Sequence, residues 1–443
     1  MLSRLLLSFI LLISLLTTSW TEAAIRKPQR FVTKNGMTVI LLERKALPFI
    51  TANVTVKAGS VLEKKELAGL ANITADLLTE GTSTRSASQI SEEEDFIGAS
   101  LSSSGGIDNA SASLKVLTKD KEKGFELLSD ILIKPSFPEG EIERAKSQIK
   151  AGIISKADDP PTIAAEAFNK SLFGNHPYSR PLEGTIKSLD NIKKAHIVDF
   201  HRQFYLPNNT VLTVVGDINK RSLKKLLHRY FGQWKEGETD FPKHEKVAPL
   251  KGKKVEIIHK DISQANVQLG HLGLKRSDPD FYAAYVMNYI LGGGGFVSRL
   301  MTEIRDNKGL VYGVYSYFNA LKEVGPFKVG LQTKNESAKE AVEEVRRQVK
   351  ELVNKGVTEK ELRDAKDYII GSFPLKFTTN QKIANYLSYI EIHKLGLDHL
   401  DKFPKIIEAL TIKDINEAAK KYLNPDNYLL VIVGNKEKIG EIE

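Results

Sequence analysis

The chain has 443 residues, enough for two domains with separate cores, and its 41% hydrophobic and 27% charged residues are an ordinary globular balance. Its net charge of +9 is spread along the whole sequence, and no helix-turn-helix, zinc-finger or aromatic RNA-binding signature accompanies it, so nucleic acid is not an expected partner. Cysteine is absent, which excludes disulfides, thiol catalysis and a cysteine-linked lipid anchor.

Residues 1–24 read as a secretory signal peptide: Arg4 precedes an apolar run from Leu5 to Leu16, and small residues follow at Ala23 and Ala24. As a helix that run spans about 18 Å, short of a ~30 Å hydrocarbon core, so no stable membrane anchor is expected. Export of a cysteine-free protein points to a bacterial periplasm. Next, Asn35-Gly36 between Phe31-Val32 and Val39-Ile40-Leu41 signals a hairpin. Ile50, Ala52, Val54 and Val56 alternate with Thr51, Asn53, Thr55 and Lys57, which predicts a half-buried strand, and Ala110, Ala112, Leu114 and Val116 repeat the pattern.

Between those strands, Ala58-Gly59-Ser60-Val61-Leu62-Glu63 leads into a helical stretch that ends at Glu80-Gly81-Thr82. Its spacing turns Leu67, Leu70, Thr74 and Leu77 to the core and Asn72, Asp76 and Glu80 away from it. The stretch resembles the pitrilysin, insulinase and mitochondrial processing peptidase family of zinc peptidases, the inverzincins. In active members a helix carries His-x-x-Glu-His between an upstream Ala-Gly-Ser and a downstream Gly-Thr. Its two histidines hold zinc from one face, and the glutamate takes a proton from the zinc-bound water. Here those positions are Asn72, Ala75 and Asp76. The resemblance puts the third ligand, a glutamate on a later helix, at Ala151 or Gly152. An amide and one carboxylate are poor substitutes for two imidazoles, so no metal is expected in this chain.

Two echoes point to a duplicated domain. Tyr205-Leu206-Pro207-Asn208-Asn209 and its following apolar strand return as Tyr422-Leu423-Asn424-Pro425-Asp426-Asn427, 217 residues on, and Glu141-Ile142-Glu143-Arg144-Ala145-Lys146 returns from Glu361, 220 residues on. Leu223, Leu226, Leu227 and Tyr230 mark a helix near the end of the first copy. The expected organisation is a peptidase-like domain at 28–235, a linker rich in Lys, Glu, Gly and Pro at 236–253, and a second domain at 254–443. The expected fold is α+β, with a mostly antiparallel sheet packed against helices in each half.

The second copy carries Gly292-Gly293-Gly294-Gly295, followed by Arg305 and, seven residues later, Tyr312 in an Arg-x-x-x-Gly-Leu-x-Tyr context. Taken alone, the glycine run could be a flexible turn, and Arg305 and Tyr312 could be a helix-end cation and a packed strand residue. The resemblance implies more. In active members such an arginine and tyrosine reach the zinc site and hold the reacting carbonyl oxygen, and the glycines are expected to bind substrate. The family also pairs a zinc-bearing chain with a zinc-less one. The resemblance therefore implies a non-catalytic subunit that lends Arg305 and Tyr312 in trans to a homologous zinc-bearing partner, acting on peptides or unfolded segments. A scaffold or peptide-binding protein with no part in hydrolysis is the alternative, and a lone peptidase with a different metal centre is a third reading.

Overall fold

The computed structural model describes residues 27–442, so the expected signal peptide lies outside the described residues. Two sheets organise the chain. The first runs β1-β2-β6-β3-β5-β4, from β1 (Gln29–Val32), β2 (Thr38–Glu43), β3 (Phe49–Val56), β4 (Ser100–Ser104), β5 (Ala110–Leu117) and β6 (Thr210–Gly216). The second runs β7-β11-β8-β10-β9, from β7 (Lys254–His259), β8 (Gln264–Leu272), β9 (Val311–Phe318), β10 (Pro326–Lys334) and β11 (Leu429–Gly434). β1 is a hairpin extension. Without it, the strands of each half lie in the same order, first-fifth-second-fourth-third, which is duplication seen as topology. Only β2 with β6 and β7 with β11 are parallel, because each pair joins the two ends of its half, across the helices between.

The halves are not closed units. β6 and β11 are buried along their whole length, as their largely apolar runs require. One face of each is covered by its own half, the other by a helix from the opposite half. Helix Asn380–Ile392 lies on β6 and β3, and helix Pro160–Phe173 lies on β11 and β8. Ile383, Ala384, Leu387 and Ile390 pack on Ile40, Leu42, Val211 and Val215. Reciprocally, Phe168, Leu172 and Phe173 pack with Leu429 and Val431. Each large side chain so covered contributes about 1.5–3 kcal/mol.

This exchange corrects the reading of β3 as half-buried. Thr51 and Asn53 are buried too, because the helix from the other half lies over them. Its amides satisfy Asn53: Gln381 donates to Asn53 Oδ1 at 2.9 Å, and Asn53 Nδ2 donates to Asn385 Oδ1 at 2.5 Å. Ser388 likewise donates to Thr213 of β6 at 2.9 Å. β5 does keep the alternation, with Ala110, Ala112, Leu114 and Val116 inward. Residues 236–253 form neither helix nor strand, yet Val247 and Leu250 pack into the junction between the halves.

Candidate functional site

The segment between β3 and β4 is built around a short helix, Leu70–Asp76. Gly69 precedes it with φ at 96°, where a Cβ would come within 2.5 Å of the Glu183 carbonyl oxygen, so only glycine fits. Glu63 caps the helix: its Oε1 accepts from the Gly69 amide and its Oε2 from the Ala71 amide, each at 2.9 Å. Burial pushes the Glu63 carboxyl up to about 7, against the pull of those amides and of nearby Arg180. Sequence reasoning missed this role, because the cap reaches back six residues from Gly69 rather than along the usual capping-box spacing.

On the helix, Leu70, Ala71, Ile73, Thr74 and Ala75 are buried. Leu67, expected on the core face, is only half-buried in a separate 3-10 turn, Lys65–Leu67. Asn72 and Asp76 do come together, as residues one turn apart must, and Asn72 Nδ2 donates to Asp76 Oδ2 at 3.0 Å. Ala75 turns inward with no exposed surface, and its carbonyl accepts from Ser103 Oγ at 2.7 Å. Gly105 presses on the helix so closely that a Cβ there would sit 2.6 Å from Asn72 Cα. Burial pushes the Asp76 carboxyl up to about 6; the Asn72 bond opposes the shift, and the charges of Glu183 and Glu80 add to it. On the helix Glu139–Lys156, Ala151 is exposed and Gly152 half-buried, and neither offers a donor atom on a side chain. Among the described residues no group of three or more His, Cys, Asp or Glu could hold a metal ion. One amide and one carboxylate bonded to each other do not fit zinc.

The matching segment of the second half, between β8 and β9, is irregular where the first is compact. Helix Phe281–Asn288 passes into a π-helical turn, Tyr289–Gly293, and a second π-helical stretch, Met301–Asn307, precedes β9. Such turns break the regular ladder and are frequent at functional sites. The glycine run divides. Gly292 is buried against Ser316 of β9, where a Cβ would meet Ser316 Oγ at 2.5 Å, so it serves close packing and cannot touch a substrate from there. Gly293, Gly294 and Gly295 form the turn at the surface, with φ at 61° for Gly295.

Arg305 and Tyr312 are brought together. β9 and β10 pair as Val314 with Leu331 and Val311 with Thr333, so Tyr312 and Gly313 stand opposite the single residue Gln332. That is a β-bulge, and it re-aims a side chain. Tyr312 projects into solvent at 92% exposure. The Arg305 guanidinium carbon lies 6.0 Å from its ring centroid and 4.8 Å from that of Phe296, itself exposed. The only carboxylate bonded to Arg305 among the described residues is its neighbour, Asp306, at 3.1 Å. Arg299, six residues earlier, shows what a structural arginine looks like here. It is held by both oxygens of Glu361, at 2.5 and 2.8 Å, and by the Gly356 carbonyl at 2.9 Å. Phe296 and the stacked, exposed pair Tyr315 and Tyr317 extend this aromatic strip, and the sequence reading did not single them out. No hydrogen bond or ring contact among the described residues links the 72–76 set, under the first sheet, to Arg305 and Tyr312 on the second.

Residues 38–186 match the family described as insulinase (peptidase family M16), and residues 191–369 match the peptidase M16 inactive domain. A solved structure of a peptidase M16 inactive domain from Pseudomonas fluorescens superposes with a TM-score of 0.87 and 31% identity, covering 92% of this chain and 98% of that one. Among curated proteins, the non-peptidase homolog YmxG of Helicobacter pylori is 29% identical over 90% of this chain and 92% of its own length. The uncharacterized zinc protease YmxG of Bacillus subtilis is 26% identical over 91% and 98%.

Proposed function

The chain belongs to the M16 (insulinase) family of peptidases, and on that footing we propose that it is the zinc-less subunit of a two-chain metalloendopeptidase. The observation that carries this reading is the exposure of Tyr312 beside Arg305, at the end of a segment whose counterpart in the first half holds no cluster of metal-ligating side chains among the described residues. A tyrosine 92% exposed does no packing, and an arginine whose one carboxylate partner among the described residues is its neighbour Asp306, held through Nη1, keeps further donors to offer. Both suit a peptide carbonyl oxygen that gains negative charge as it is attacked. Fixed donors of this kind are each worth about 3 kcal/mol of barrier.

In this reading a homologous chain bearing His-x-x-Glu-His brings zinc and the attacking water. Arg305 holds the substrate backbone and then the oxyanion, while the Tyr312 hydroxyl donates to the oxyanion alone. The exposed Gly293–Gly295 turn leaves room for an extended peptide, and β9, at the edge of its sheet, offers unpaired backbone groups. The chain is exported in this account, and mass spectrometry of the mature protein is expected to find its N-terminus near Ala23 or Ala24.

The test is reconstitution. Peptidase activity is expected from the mixture of this chain with a zinc-bearing homologue and from neither alone. A second reading, a scaffold without any role in hydrolysis, is supported by the name of the Helicobacter pylori relative. It becomes the better one if the two chains pair and the mixture hydrolyses no faster than the zinc-bearing chain by itself.

A further inference from the structure

At the start of the segment between β8 and β9, Arg276 lies in the loop after β8 and is only 4% exposed. It has no carboxylate partner among the described residues. Its Nε donates to the Tyr389 hydroxyl, its Nη2 to the Tyr282 hydroxyl at 3.2 Å, and Nη1 has no partner among the described residues. The rings of Phe281, Tyr282 and Tyr389 stand 3.8, 5.2 and 5.4 Å from its guanidinium carbon. Aromatic faces and hydroxyls soften the cost of burying a cation but do not neutralise it.

Arginine only donates, so the Tyr282 oxygen accepts from it, and the same hydroxyl shares a hydrogen bond with His399 Nε2 at 2.5 Å. His399 Nδ1 shares a second one with the Tyr386 hydroxyl at 2.7 Å, so a neutral ring donates to one of the two tyrosines and accepts from the other. Burial, with help from Arg276, holds His399 down to about 4, in keeping with that neutral form. The O–H of Tyr389 and Arg276 Nη1 are left over as donors, joined by the O–H of Tyr386 when the His399 proton sits on Nε2. All three residues line one cavity of about 260 Å³. At its rim is Lys376, whose ammonium lies 6.0 and 5.9 Å from the rings of Phe373 and Phe403 and has no ion pair among the described residues. Those two rings stack at 4.4 Å and form an apolar wall. None of the residues lining the cavity is acidic.

We propose that this cavity binds a small monocarboxylate with a flat apolar body. The carboxylate would take the donors of Arg276, Tyr386 and Tyr389 with Lys376 closing over it, and the body would lie against Phe373 and Phe403. At about 260 Å³ the space is below the ~300–1,000 Å³ of drug-sized sites, which limits the occupant to about one amino-acid side chain and its acid group. Two sources share this chemistry: a free aryl or branched-chain acid, and the C-terminal residue of a peptide.

Isothermal titration of the mature, full chain with phenylacetate and with phenylacetamide tests the proposal, since the pair differs in charge but hardly in shape. Phenylacetate is expected to bind at least about tenfold tighter than the amide. Lys376→Met, a change at an exposed residue that leaves the core intact, is expected to weaken phenylacetate roughly fivefold and leave the amide unchanged. Equal affinities for acid and amide overturn the proposal, as does the absence of binding by phenylacetate at about 10 mM. Acetyl-glycyl-phenylalanine distinguishes the sources. Tighter binding than phenylacetate assigns the site to a peptide C-terminus and weaker binding to a free acid, and either order keeps the carboxylate.

Discussion

The segment joining β3 to β4 and the segment joining β8 to β9 occupy the same place in the duplicated topology, and they differ in where their polar chemistry points. In the first, Ala75 is fully buried and Asn72 and Asp76 satisfy each other under Gly105. In the second, Tyr312 and Phe296 stand in solvent around Arg305, and two π-helical turns and a bulge interrupt the regular structure. A segment released from chemistry can settle into good packing. Under the proposed function, the second segment would keep its exposed aromatic surface and broken ladders, which a folding-only optimum would remove.

The largest expected effect breaks this contrast from the first side. Ala75→Glu, which restores the general base of the family's motif, places a carboxyl at a position with no exposed surface and should cost about 3 kcal/mol. Urea denaturation reads this directly, and an unchanged midpoint would show that the first segment still has room for catalytic chemistry. From the second side, Tyr312→Phe in the reconstituted pair should lower kcat about a hundredfold, near 2.7 kcal/mol, with KM almost unchanged. Arg305→Ala should harm both constants. Wild-type rates from both variants in a well-formed pair would make these residues structural and erase the contrast.

The smallest effect sharpens it. The folded Asp76 carboxyl titrates near 6, above its usual 3.8, so its charge burdens the fold above pH 6, and that burden disappears as the pH falls from 6 to 3.8. Asp76→Asn should therefore stabilise the protein by about 1–2 kcal/mol at pH 8, after allowance for partial solvent access, and make no difference at pH 3.5. Thermal melts at the two pH values check this. Stabilisation that does not vary with pH would mean the carboxylate carries no such cost.

Much of this was legible in the sequence because buried strands leave plain marks. The apolar runs before Gly216 and Gly434, each behind a turn of Asn and Pro, identify the fifth strand of each half. The exchange of helices was not legible. Ile383, Leu387 and Ile390 have the spacing of any amphipathic helix, and nothing local says that the sheet they cover lies some hundreds of residues upstream. Thr51 and Asn53 looked solvent-facing for the same reason: their partners come from the other half. At the site, the family resemblance brought out Arg305 and Tyr312 through their seven-residue spacing, but two-residue alternation cannot foresee the bulge that turns Tyr312 outward. Gly313, beside it, was the available hint.

The exchanged helices have a consequence for the order of events during synthesis. By the time β6 has been made, the first sheet is complete in its strands, but Ile40, Leu42, Val211 and Val215 still lack their cover. That cover, the helix Asn380–Ile392, is translated only near the end of the chain. From the completion of β6 at Gly216 until that helix emerges, the nascent protein therefore carries a broad apolar sheet face, the kind of surface that draws chaperones or other nascent chains. A chain stopped after the first half should consequently aggregate rather than accumulate as a folded domain.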